Sequence, residues 1–409
     1  MLIDLFCKYW YNFIEFINIK QVVDMKKIVI FSIAYHPFVG GAEVAIKEIT
    51  DRLPDYEYYL ITNKFNAEWP DEEKIGNINV RRLGKGKKWD KYLYPFRAIL
   101  YTMNLHKVVK FDFAWSMMAF YGGLAALFLK YKTKIPYLLT LQSGDSDEFL
   151  RKRTWFWSYW YKRIYREPNI TQAISKFLAK RSRKMGNRGE IVLIPNGVDL
   201  AVFKAGISEE AKQSVRKELN IADDEKIFIT TSRLALKNGI DDLIKSMNFL
   251  IYKSGIKIKL LILGSGPDEE KLKALAEEMR VKEQILFLGH RDYKDLPKYV
   301  ETADIFCRPS LSEGLGNSFL ESMAVNTPII GTEVGGIPDF LHDGETGLFC
   351  KVRNPVSIAQ AVERYVKDKE LYKKIQDAGR ELVLEKYSWD SVAKQMNQVF
   401  QEVDTKKEK

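Results

Sequence analysis

Short, strongly apolar runs rich in β-branched residues alternate with helical patterns along this chain, and they do so in two successive series. The first series comprises IVIFSI at 28–33, YYLIT at 58–62, YLLTL at 137–141 and IVLIP at 191–195. After residue 225 the rhythm restarts with IFITTS at 227–232, LLILG at 260–264, ILFLG at 285–289, DIFCRPS at 304–310 and PIIGT at 328–332. Runs of this kind suit strands buried on both faces, with helices covering those faces, so each series predicts a doubly wound, mostly parallel α/β sheet. A chain of 409 residues also exceeds the roughly 250–300 residues at which one hydrophobic core stops growing. Two domains follow, divided at the turn cluster Pro195-Asn196-Gly197-Val198-Asp199. The expected organisation is an extension at 1–24, a first domain at 25–200, a second at 201–387, and a helix with a charged tail at 388–409, the helix packing on either domain.

Composition narrows the chemistry. Hydrophobic residues make up 46% and charged residues 29%, which excludes wholesale disorder. Cys7, Cys307 and Cys350 are far apart, so no disulfide framework or CxxC metal site is expected, and a reducing cytoplasm fits. Four scattered histidines, His36, His106, His290 and His342, form no HExxH-type pair, so no metal site is expected from them. In the first 24 residues, Asp4, Lys8, Glu15 and Lys20 interrupt every apolar run long enough to span a membrane. Met25 is expected to open the first domain; an amphipathic surface helix before it is the alternative.

Open parallel sheets bind ligands beyond the carboxyl ends of their strands, so the loops there carry the chemistry. After Pro309 the segment Ser312-Glu313-Gly314-Leu315-Gly316-Asn317-Ser318-Phe319-Leu320-Glu321 runs from a glycine loop into a helix. Free amides in a helix's first turn attract an anion, and Gly314 and Gly316 allow close approach of backbone to phosphate. Glu321, five residues into that helix, lies about 7–8 Å along the axis, which is near the reach of a diphosphate. Glu313 then meets hydroxyls at one end of a ligand while Glu321 accepts from a ribose diol at the other. At the exit of the 227–232 strand, Arg233 and Lys237, followed by Asn238 and Gly239, are placed to neutralise charge on a leaving diphosphate. In the first domain, Gly40 and Gly41 end a long loop at a helix start, and Gln142, Ser143, Gly144 and Asp145 leave the 137–141 strand. No GxGxxG is present, which disfavours a nicotinamide or flavin enzyme.

Taken together, these residues resemble the retaining glycosyltransferases of family 4, with the GT-B architecture: two Rossmann-like domains facing each other across a central cleft. The resemblance spans about 27–403 and rests on GGAE at 40–43, PNGVD at 195–199, SRL with KNGID at 232–241, LGSGP at 263–267, VGGIPD at 334–339 and, most specifically, SEGLGNSFLESMA at 312–324. It implies that Glu313 contacts the donor sugar, Glu321 holds the ribose, and Arg233 and Lys237 embrace the diphosphate of a UDP- or GDP-sugar. Gly40, Gly41, Asn238, Gly314, Leu315, Gly316 and Asn317 would complete the donor site. Gln142 and Asp145 would face the sugar or acceptor, Gln142 standing where many relatives carry a histidine. The implied reaction needs no cofactor and no metal, so Asp145-Ser146-Asp147 is a coincidence at a helix start, not a metal site. A saccharide or a lipid-linked saccharide would be the acceptor, in bacterial-type cell-surface glycan or glycolipid synthesis.

The charge is concentrated. Between Arg151 and Glu190 stand 12 Lys or Arg against two acids, a local excess equal to the +10 of the whole chain. Trp155, Phe156, Trp157, Tyr159, Trp160, Tyr161 and Tyr165 crowd the same stretch. Two expectations stand side by side: peripheral docking on an anionic membrane at its cytoplasmic face, and an ordinary amphipathic helix with its aromatics buried. No nucleic-acid recognition module is evident. A GT-B-type sugar-nucleotide epimerase and a non-catalytic membrane-surface protein are the competing functional readings.

Overall fold

The computed structural model describes residues 25–38 and 40–405. The expectations for residues 1–24 and for the charged tail at 406–409 lie outside the described residues.

Two sheets form, as the two series of apolar runs require. The first contains β1 (Lys26–Phe31), β2 (Tyr56–Asn63), β3 (Glu72–Ile75), β4 (Ile78–Leu83), β5 (Phe113–Met117), β6 (Tyr137–Leu141), β7 (Ile170–Ala173) and β8 (Glu190–Leu193). Their order is β3-β4-β2-β1-β5-β6-β7-β8, parallel throughout except for the β3–β4 hairpin. The second contains β9 (Lys226–Thr231), β10 (Ile258–Leu263), β11 (Ile285–Gly289), β12 (Ile305–Arg308), β13 (Ile329–Thr332) and β14 (Leu348–Cys350), in the all-parallel order β11-β10-β9-β12-β13-β14.

These orders position the site. Strand order reverses between β1 and β5 in the first sheet and between β9 and β12 in the second, and at such switch points adjacent connections diverge and leave a crevice beyond the strand ends. The glycine loop at 40–41 follows β1, the 233–239 loop follows β9 and the 309–316 loop follows β12, so three of the loops singled out in the sequence open at crevices. The strands themselves are fully covered: Ile28, Val29, Ile30 and Phe31 in β1 are buried, as are Ile227, Phe228 and Ile229 in β9.

Helices cover the sheets by ordinary amphipathic logic. Helix Gly41–Arg52 buries Ala42, Ala45, Ile46 and Ile49, a stripe at three- and four-residue spacing. Against it packs the last helix, Trp389–Thr405, which buries Trp389, Val392, Met396, Val399, Phe400 and Val403. The chain therefore leaves the second domain at Tyr387 and returns to the first. The crossing is pinned where the Val198 amide donates to the Tyr387 carbonyl at 2.7 Å, and where Trp389 backbone presses on Gly197 so closely that a Cβ there would overlap it. Tyr56 donates to Asn397 at 2.7 Å and Arg52 pairs with Asp390 at 2.6 Å, closing the helix onto the first domain.

Candidate active site

A cavity of about 500 Å³ lies where the two crevices face each other. From the first domain its walls include Gly40, Gly41, Gln142 and Asp145; from the second they include Lys237, Glu313, Leu315, Gly316, Asn317 and Glu321. Arg233, Asn238 and Gly314 stand outside that lining. Arg233 is exposed on the loop after β9, whereas Asn238 is buried and Gly314 lies in the contact between the domains.

The loop after β12 is built as its composition demands. Gly316 takes a left-handed φ of 110° and caps helix Asn317–Ala324, a conformation a side chain would strain. Phe319 and Leu320 of that helix are buried, anchoring it to the sheet and aiming its first turn at the cavity. Glu313 is held at both oxygens: Arg308 Nη2 donates to Oε2 at 2.6 Å and the Gly314 amide donates to Oε1 at 3.0 Å. Arg308, at the end of β12, also donates to Ser318 Oγ at 2.8 Å and lies over the Phe319 ring at 4.9 Å. This arginine lines the cavity and is nearly buried, and no sequence motif marks it. A lone Arg at the end of an apolar strand was its one visible signal.

Glu321 lies deep in the same cavity beside Tyr293, a second residue the sequence reading missed, in the loop following β11. Burial pushes the Glu321 carboxyl up to about 7, against the opposing pull of Arg308 and of the hydrogen bond from Tyr293. The same burial, with Glu321 next in influence, drives the Tyr293 phenol far above its usual range, so it remains a donor. An ionisable acid with its carboxyl raised by burial, lining a cleft, is a candidate functional group.

The loop after β9 is tied down rather than free. Asn238 Nδ2 donates to the Arg233 carbonyl at 2.5 Å, the Leu311 amide donates to the Lys237 carbonyl at 2.7 Å, and Gly239, at φ 69°, leaves no room for a Cβ against Pro309. Those bonds present Lys237 to the cavity, where its Nζ lies 3.7 Å from Asp145 Oδ1 of the first domain.

On the first-domain side, Gln142 and Asn196 exchange amide hydrogen bonds at 3.2 and 3.3 Å, so PNGVD buttresses the wall that Gln142 forms. Arg181 braces the following loop, donating to the Ser143 carbonyl at 3.1 Å and the Asp145 carbonyl at 2.7 Å while pairing with Asp147 at 2.8 Å. Ser146 caps helix Asp147–Thr154 by accepting from the Phe149 amide. The three residues of the DxD-like stretch thus face three different partners: Lys237, a helix amide and Arg181.

Direct contacts join the domains around the cavity. Ser312 Oγ donates to the Gly144 carbonyl, and Asp339 of VGGIPD accepts from the Lys176 amide at 2.7 Å. Two parallel-sheet domains joined by a cleft, with acids, a glycine-led helix start and cations converging on it, define a GT-B glycosyltransferase.

Comparison with known proteins agrees. Residues 39–202 match the family described as Glycosyltransferase Family 4, and residues 211–382 match Glycosyl transferases group 1. The chain is 26% identical to an uncharacterised glycosyltransferase of Methanocaldococcus jannaschii, over 91% of this chain and 97% of that one. It is 27% identical to the alpha-monoglucosyldiacylglycerol synthase of Acholeplasma laidlawii, over 79% of this chain and 84% of that protein. The crystal structure of Anabaena HepE in complex with UDP-glucose superposes with a TM-score of 0.77 at 16% identity, covering 92% and 99% of the two chains. The protein belongs to glycosyltransferase family 4.

Proposed function

We propose that the protein transfers a sugar from a nucleotide-diphosphate donor to the hydroxyl of a glycan or glycolipid acceptor, with retention at the anomeric carbon and without a metal. The observation that carries this reading is the shared cavity: Glu313, Glu321 and Lys237 meet the start of helix Asn317–Ala324 on one side, and Gln142 and Asp145 on the other. Glu321 would accept from the ribose diol, Tyr293 fixing its orientation. The helix start and Lys237, with Arg233 from the rim, would hold the diphosphate. Arg308 would position Glu313 against the donor sugar.

In the transfer step the acceptor oxygen bonds to the anomeric carbon as the bond from that carbon to the diphosphate oxygen breaks on the same face. The acceptor proton passes to the departing phosphate oxygen. Lys237, already drawn into the cleft by Asp145, and the amides of the helix start would stabilise the developing charge with little reorganisation, Arg233 folding in from the rim. The HepE structure contains UDP-glucose, and the Acholeplasma relative is named for a glycolipid product, which supports donor and acceptor classes of this kind.

Among the described residues no helix is long and apolar enough to cross a membrane. A glycolipid acceptor would then be met at a bilayer surface, and the cationic, aromatic stretch at 151–190 is suited to such contact. Trp155, Phe156 and Tyr159 there are exposed, which supports such contact, while Tyr161 and Tyr165 are buried as in an ordinary amphipathic helix.

The test is incubation with a panel of sugar nucleotides, with and without saccharide and glycolipid acceptors and in the presence of EDTA. Acceptor-dependent release of UDP or GDP, and an α-linked product from an α-linked donor, is the expected result. Release that ignores every acceptor, or an inverted product, overturns the reading.

A further inference from the structure

A second cavity of about 550 Å³ lies in the first domain, walled by Tyr92 and Phe96 of helix Asp90–Val109 and by Phe156 and Trp160 of the aromatic stretch. Its lining contains no acid and one cation, Arg153. Phe96 and Phe156 are 55% and 74% exposed, an apolar surface that a monomeric soluble protein rarely presents without use. Arg153, itself exposed, borders the groove with its guanidinium 4.5 Å from the Phe120 ring centroid and 5.9 Å from that of Tyr121.

The groove is not isolated. Phe120, Tyr121 and Arg153 also line a small third cavity whose far wall is Gln142, Ser143 and Asp145, and those three in turn line the cleft between the domains. Shared walls thus run from an open aromatic groove, past Arg153 and past Arg181, whose guanidinium is already taken by the Ser143 and Asp145 carbonyls and by Asp147, to the acceptor side of the site. A molecule lying along this path must be apolar at one end, anionic in the middle and polar at the other.

We propose that the groove holds the hydrocarbon chain of an acceptor lipid whose head group is joined to the chain through a phosphate, with that phosphate at Arg153 and the acceptor sugar or alcohol in the cleft. The inference rests on the transferase reading above and names its acceptor class. Burial of chain methylenes supplies affinity at about 0.8 kcal/mol each. A guanidinium steadied by aromatic faces and facing no acid in the groove supplies preference for a phosphate. Exposed Arg151, Lys152 and Lys162 nearby add attraction to the anionic surface from which such a lipid would be drawn.

The experiment is calorimetric titration of the full chain with hexadecyl phosphate below its micelle concentration, with hexadecanol and inorganic phosphate as comparison probes. The parent protein should bind hexadecyl phosphate at least about tenfold more tightly than hexadecanol, with no displacement by millimolar inorganic phosphate. Arg153→Glu should erase that preference, and Phe96→Glu or Phe156→Glu, both at exposed positions, should weaken both long-chain probes about tenfold or more. No binding by the parent, equal binding by all three variants, or full displacement by inorganic phosphate overturns the proposal. Glu321→Ala separates the two readings: it should lose UDP and GDP binding while keeping hexadecyl phosphate. A parent protein that binds the lipid probe but no nucleotide contradicts the transferase reading and leaves the groove assignment standing.

Discussion

Lys237 of the second domain reaches across the cleft to Asp145 of the first, Nζ to Oδ1 3.7 Å. The lysine side chain is 52% exposed, so the pair adds little to stability; exposed pairs of this kind contribute about 0–1 kcal/mol. Its significance is positional. A cation drawn toward Asp145 is already inside the cleft when a diphosphate arrives, and the diphosphate, carrying more charge, would displace the single carboxylate. Lys237→Ala should therefore lower kcat/KM by about 10²-fold while moving Tm by no more than about 2 °C. Steady-state kinetics beside a thermal melt checks both. Arg233→Ala is expected to follow the same pattern if its guanidinium folds in over the bound diphosphate, as the family resemblance implies.

Arg308 and Glu313 make a tighter and drier pair, 2.6 Å apart with the arginine side chain 10% exposed. Removing one partner of such a pair strands the other, at a cost of about 3 kcal/mol or more. Arg308→Met should thus lose both stability and activity. Ser318→Ala removes the arginine side chain's other hydrogen bond and should cost only about 1 kcal/mol. Urea unfolding of the two variants distinguishes the roles. Equal midpoints would contradict the bracing function assigned to Arg308.

The pH dependence follows from Glu321. Its carboxyl is raised from 4.5 to about 7 in the folded protein, chiefly by burial. Between those values the folded state keeps a proton that the unfolded state has lost, so stability falls as pH rises through that window and the full penalty is present above 7. Glu321→Gln should be more stable than the parent at pH 8 by up to about 3 kcal/mol, with the difference fading toward pH 4.5. Denaturant titrations at pH 5 and pH 8 measure it. Donor binding should run the other way: the ionised carboxylate accepts both hydroxyls of a diol, so the donor KM of the parent should fall between pH 6 and 8.

Several features of this site were legible because local chemistry carries them. The segment SEGLGNSFLESMA announces a strand exit, a turn that only glycine makes easily and an apolar helix face, and each of these is a short-range property. The same holds for β1, β6, β9 and β11, whose continuous apolar runs have no other economical reading. Arg308, Tyr293 and Arg181 were not legible, since each is one polar residue beside a strand or on a helix and acquires its role only when another loop folds against it. Strands β5 and β7, FAWSM and ITQA, were passed over because they are short and interrupted by Ser116 or by Thr171 and Gln172. Those polar residues are buried, and Gln172 is satisfied from neighbouring strands, accepting from Thr140 Oγ1 at 2.6 Å and donating to the Ile194 carbonyl at 2.7 Å. The docking of helix Trp389–Thr405 on the first domain is not legible in the sequence for a related reason: an amphipathic face declares that it will be buried, not by what.

Gly144 offers the most direct probe of how the domains meet. A Cβ at this position would fall within 3.0 Å of the Glu313 Cα and closer still to the Gly314 amide, while a Cβ at Gly314 would come within 2.6 Å of the Gln142 carbonyl. Neither residue has a left-handed φ, so glycine is required here by the approach of one backbone to another and not by backbone conformation. Gly144→Ala should push the 142–145 loop away from Glu313 and break the hydrogen bond from Ser312 to the Gly144 carbonyl. Gly144 lies in a loop outside both sheets, so the circular dichroism spectrum should be unchanged. Transfer should fall about 10²-fold, the order expected when reacting groups on opposite walls are displaced by an ångström, whereas UDP binding, proposed to rest mainly on second-domain residues, should weaken less than tenfold. A variant with parental kcat would show that transfer does not depend on this contact.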